Sequence, residues 1–185
     1  MRKKTPKQAK FSPQKYIREK GRSCSIFQCL IADGFEDMGL TVALIIRQQP
    51  SDKFMITNLL LDRHCLGIKN VFCNCNLDKT QLDELIQQME KVGQVVEVDA
   101  IHFHNLIYAT IDFAEDNGFH PSKDFSLAER ILDPDLIDDG IDKIEVGVNG
   151  KPMFINGPYD NVDHILATLD KNVGKGNYET TINFF

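Results

Sequence analysis

The chain has 185 residues, 42% hydrophobic and 26% charged, enough apolar material for one domain with its own core. No apolar run approaches bilayer-spanning length and no apolar stretch follows the basic start, so this reading excludes a membrane span and an export signal. Five cysteines, odd in number and irregular in spacing, exclude a full disulfide framework and fit a reducing cytoplasm.

The formal charge of −6 is unevenly divided. Residues 1–22 hold nine basic side chains (Arg2, Lys3, Lys4, Lys7, Lys10, Lys15, Arg18, Lys20 and Arg22) and one acid, Glu19. The rest of the chain holds twelve basic and 26 acidic groups, a net of −14. Such an arm suits phosphate-rich partners, RNA or the ribosome above all. A solvated tail, or an arm lying on the acidic body of its own chain, accounts for the same residues.

In chain order, residues 1–15 read as a disordered basic arm and 16–185 as a single domain, with order beginning near Tyr16-Ile17. Strands are predicted over Ser25–Ile31, Leu40–Ile46, Phe54–Leu61 and Val71–Cys75. The nearly continuous apolar run of the second marks a central strand, and the short connections favour an antiparallel meander. Asp78 with Gln81 forms a capping box before a helix that carries Leu82, Leu85, Ile86 and Met89 on one face, and Gly93 ends it. Val95-Val96 leads into a longer helix, striped by Ile101, His104, Ile107, Tyr108 and Ile111 and stopped at Asn117-Gly118. A third, short helix runs over about 122–132.

Asn149-Gly150 predicts a type I′ hairpin between 144–148 and 152–155. Asp160 or Asn161 caps a last helix bearing Val162, Ile165, Leu166, Leu169 and Val173. Residues 178–185 read as a final strand. The expected fold is α+β: an antiparallel sheet with the helices packed on one face, plus a β-hairpin and helix in the C-terminal half.

Several segments are familiar together: Tyr16-Ile17-Arg18, the stretch from Asp62 to Lys69, His104 to Ala109 with Phe113-Ala114-Glu115, Gly118 to Phe125, and the corner Gly157-Pro158-Tyr159-Asp160-Asn161. In that order they resemble a family of uncharacterised bacterial proteins of similar length with a short basic N-terminus. The resemblance covers nearly the whole chain and implies a single cytosolic module. It implies no activity, substrate or cofactor.

Candidate chemistry is sparse. Zinc knuckles need two to four residues between cysteines, and Cys73-Asn74-Cys75 has one. A site from His64, Cys65, Cys73 and Cys75 competes with buried thiols packed as small hydrophobes. A thiol nucleophile at Cys65, where a strand breaks before Gly67, could pair with His104, oriented by Asp62 or Asp112. A core histidine bonded to backbone explains His104 as well. Asp133, Asp135, Asp138 and Asp139 crowd one loop, and Asp142 and Glu145 follow, without EF-hand spacing. Glu115 and Asp116 sit at a helix end that disfavours negative charge.

The expectation is a non-enzymatic binding or adaptor module, its arm (Arg2 to Arg22) on RNA, the ribosome or another polyanion and its acidic body on a protein. No cofactor, metal or membrane partner is expected. The alternatives are a thiol-dependent hydrolase or transferase using Cys65 and His104, and an accessory subunit of a protein complex.

Overall fold

The computed structural model describes residues 11–35, 38–138, 140 and 143–183. Its first element, α1 (Pro13–Lys20), starts ahead of the expected onset of order. Ser12 accepts a hydrogen bond from the Lys15 N–H, and Pro13 occupies the first helical position, where a missing N–H costs nothing. Ile17 anchors the helix in the core.

The strands follow as a meander: β1 (Ser25–Phe35), β2 (Leu40–Gln49), β3 (Lys53–Asp62) and β4 (Gly67–Leu77), each antiparallel to the next. The predicted capping box is present in both directions and opens α2 (Lys79–Glu90). Val95 to Val98, expected to lead into a helix, instead form β5, which pairs antiparallel with β1. Asp99 then caps α3 (Ala100–Asp116) by accepting from the N–H groups of Ile101 and His102. The sheet order is β4-β3-β2-β1-β5, so β2 is central, as its apolar run requires.

Two layers of helix cover this sheet. Residues Cys29, Ala43, Ile45, Met55 and Leu59 face the front, against α1, α3 and the short α4 (Phe125–Ala128). Leu30, Leu44, Ile46, Phe54 and Ile56 face the back, against Leu82 and Met89 of α2. The helices therefore do not share one face. The cause is topological. β4 and β5 lie at opposite edges, so the chain must cross the sheet between them. Twelve residues of α2 span about 18 Å, close to the roughly 19 Å across four strand spacings.

A smaller core closes the C-terminal part. β6 (Met153–Ile155) and β7 (Glu179–Thr181) pair in parallel, with α5 (Val162–Asn172) between them in sequence. Phe154, Cys65, Ile165 and Leu169 are buried together there. The expected hairpin is reduced to one bridge, Val148 with Lys151, although Asn149 and Gly150 adopt positive φ of 53° and 73°. Gly147, itself at positive φ, bends the chain away, and Pro152 has no N–H to extend a ladder.

Two arginines tie the front layer down. Arg47, 3% exposed, donates from Nε to Ile131 O at 2.6 Å and from Nη1 to Cys24 O at 2.6 Å and Arg22 O at 3.4 Å. Arg22 donates to Leu132 O and Glu129 O, each at 2.9 Å. At the β4 edge, Asn70 and Asn74 each turn Oδ1 onto the N–H of the next residue, at 2.8 Å. This satisfies edge donors that could otherwise recruit another strand.

Candidate functional site

α2 covers only part of the back face. Leu40, Val42, Leu60 and Phe72 lie beyond it and are half-buried or exposed. The turn 157–160 walls that uncovered half. Its Asp160 N–H donates to Gly157 O at 3.3 Å, and Asp160 Oδ2 accepts from the Gly157 N–H at 2.8 Å. The same Oδ2 accepts from Lys69 Nζ at 2.6 Å, so the turn is bolted to β4 by an ion pair. The N-cap of α5 falls to Asn161, which accepts from the His164 N–H, leaving Asp160 for Lys69.

Turn and sheet enclose a cleft of about 570 Å³, with Met38, Leu40, Leu60 and Ile155 among its apolar lining. It runs into a second hollow of about 330 Å³ over Val42, Phe72 and Val92. Leu40, Leu60 and Asn70 line both. On the other side of the ion pair a third hollow of about 300 Å³ takes in His120 and His164. Nothing in residue spacing announced the pairing of Lys69 with Asp160. Both fall in familiar segments, but they are far apart in the chain.

The proposed thiol centre is not assembled. Cys65 is fully buried in the C-terminal core, and His104 is fully buried in the front core. Burial pushes the Cys65 thiol far up, and the nearby Asp62 carboxylate adds to this. Both ring nitrogens of His104 are engaged with backbone. Nδ1 donates to Ala100 O at 2.6 Å, and Nε2 accepts from the Asp133 N–H at 2.9 Å. This pattern requires the neutral ring, and burial pushes its pKa down in agreement.

Asp62 is engaged likewise, its Oδ1 accepting from the N–H groups of His64 and Cys65 at 3.1 and 3.0 Å. Burial raises its carboxyl from 3.8 to about 6, against the lowering field of Lys69. A raised folded-state value means stability that is full below 3.8 and is lost as pH rises through about 6. Asp62→Asn keeps the acceptor and abolishes the titration. Its stability relative to wild type should therefore rise by about 2–3 kcal/mol between about pH 4 and pH 7. Urea unfolding of both proteins across that range checks this, and parallel curves would sink it.

Cys73 and Cys75 share the front face of β4, with Cys73 Sγ 3.4 Å from Thr57 Oγ1. The His64 ring lies against Gly39, at a distance that leaves no room for a Cβ there. His64, Cys65, Cys73 and Cys75 therefore do not converge, and no group of three metal-type ligands occurs among the described residues. In the acidic loop, Asp133 and Asp138 accept from the N–H groups of Asp135 and Gly140. Asp139 and Asp142 lie outside the described residues. Glu115 meets His120 at 3.2 Å, which offsets its place at a helix C-terminus.

Of the basic arm, Arg2, Lys3, Lys4, Lys7 and Lys10 lie outside the described residues. Lys15, Arg18 and Lys20 are exposed on α1, and Arg22 is committed to backbone carbonyls. Arg18 and Lys123 flank a shallow hollow of about 200 Å³ at the β4 edge, lined also by Val71, Cys73 and Asp124. Sequence reading missed Lys123, because only the packing of α1 and α4 on β4 brings it to Arg18. Compared with protein-family models, curated proteins and solved structures, the chain matches none of them.

Proposed function

We propose that the protein is a non-enzymatic binding module whose basic arm, residues 2–22, engages RNA or another polyanion while its acidic body remains free for a protein partner. The observation that carries this reading is the charge division, nine basic residues against one acid in residues 1–22 and a net of −14 elsewhere. Support comes from α1, which carries exposed Lys15, Arg18 and Lys20, and from Lys123, which faces Arg18 across a shallow hollow. A row of exposed cations suits the phosphates of a single strand. Arg22 is not part of this surface, since its guanidinium holds Glu129 and Leu132.

Fluorescence anisotropy with a single-stranded RNA oligonucleotide, across a salt series, tests the proposal. Binding should weaken steeply with salt, with a log–log slope of about −0.7 per phosphate neutralised. Deleting residues 1–10, which leaves α1 whole, should flatten that slope. Arg18→Ala together with Lys123→Ala should flatten it further, by up to about 0.7 per cation removed. Absence of binding at low salt would rule the proposal out.

A further inference from the structure

The uncovered half of the back face joins three features that a flat apolar patch lacks. One wall is the turn 157–160, whose shape Asp160 holds by two hydrogen bonds to Gly157. The cleft also contains the Lys69–Asp160 pair, whose side chains are only 16% and 14% exposed. At the rim stands Tyr159, 98% exposed and carried on the fixed turn. The volume, about 570 Å³, falls within the roughly 300–1,000 Å³ of small-molecule sites, which are mostly apolar with a few placed polar groups.

The ion pair decides the head group. Ammonium and carboxylate at 2.6 Å neutralise each other. A charged head would satisfy one of them and leave the other uncompensated where water is largely shut out. An uncharged group with one donor and one acceptor leaves the pair intact. It can accept from a second N–H of Lys69 and donate to Asp160 Oδ1, since Oδ2 already takes Lys69 and the Gly157 N–H. The adjoining hollow over Val42, Phe72 and Val92 continues the apolar track, so the body of such a molecule can be extended.

We infer that this cleft binds an uncharged amphipathic small molecule. Its apolar or aromatic body lies on Leu40 and Leu60 beneath Tyr159, and its amide or hydroxyl head rests on the Lys69–Asp160 pair. The site uses neither the arm nor α1, so it stands or falls separately from polyanion binding.

The test is a fluorescence titration of the full chain with two probes. 2-Naphthol is uncharged, and its hydroxyl both donates and accepts. 2-Naphthol-6-sulfonate has the same ring and hydroxyl with an added anionic group. The uncharged probe should bind saturably, one per chain, and roughly tenfold more tightly than the anionic one. Tyr159→Ala should weaken it about three- to tenfold through loss of an aromatic contact. Tyr159 is almost wholly solvent-exposed, so that variant keeps its fold. Leu60→Asp should abolish binding with the circular dichroism spectrum unchanged. Absence of saturable binding, tighter or equal binding of the anionic probe, or indifference to both substitutions overturns the inference.

Discussion

Replacing Arg47 with Met should lower stability by about 3–5 kcal/mol, read as a lower urea midpoint at an unchanged m value. Burying a guanidinium is expensive, and exchanging a buried ion pair for apolar side chains can even stabilise a protein. That compensation is closed here, because the partners of Arg47 are main-chain carbonyls. Ile131 O, Cys24 O and Arg22 O stay in place when the side chain goes. Each then loses a charge-assisted hydrogen bond in a layer with little room for water. Lys cannot repair the loss, since a single ammonium does not reproduce the planar fork that reaches two segments at once. Arg18→Met on the exposed face of α1 is the control, expected to change stability by no more than about 0.5 kcal/mol. An Arg47→Met effect that small would mean that the carbonyls find other donors.

The second large effect is expected at Phe154. This ring is fully buried among Cys65, Ile165 and Leu169. Its strand is pinned on both sides, by the Met153 N–H to His64 O at 3.0 Å and by the parallel pairing with β7. The backbone therefore cannot collapse into the space left by Phe154→Ala, and the loss should reach about 3–5 kcal/mol. The C-terminal core is separate from the two that flank the main sheet, so it should open first. Cys65 reports on that opening. In the variant it should react with a thiol reagent well before Cys29, which lies in the front core. Equal rates at the two cysteines would show that the cores unfold together.

Local signals in the chain were read correctly where the physics was local. Asp78 and Gln81 are three residues apart, and their reciprocal bonds need nothing from the rest of the fold. The run Leu40 to Ile46 marked a central strand, and β2 is central. Its back face is covered by α2, which was expected on the same face as the other helices. β5 was missed because four residues ahead of a capped helix carry too little pattern to outweigh the helix behind them. Its strand character comes from β1, a distant partner.

The site was less legible than the fold. Arg47 closes an apolar run and looks like the point where a strand meets solvent, but its carbonyl partners lie in segments that no spacing connects. Lys69 and Asp160 meet only because β6 docks beside His64 and carries the following turn to β4. Cys65 and His104 had suitable chemistry and were separated by packing.

The place of β5 bears on the order in which the sheet is assembled. The hairpins β1–β2, β2–β3 and β3–β4 close across short connections, whereas β5 must find β1 after the whole of β2 to α2 has intervened. Loop-closure entropy grows by only about 0.6 kcal/mol per doubling of length, so this late pairing carries an extra penalty on the order of 2–3 kcal/mol. Four residues of ladder provide little to set against it. The meander therefore forms before the fifth strand joins, and among the strands of this sheet the fifth is the first to leave. Until it joins, the edge of β1 is bare and lacks the asparagines that blunt the edge of β4. Any tendency of this chain to exchange strands between molecules is concentrated in that interval, at one edge of the sheet.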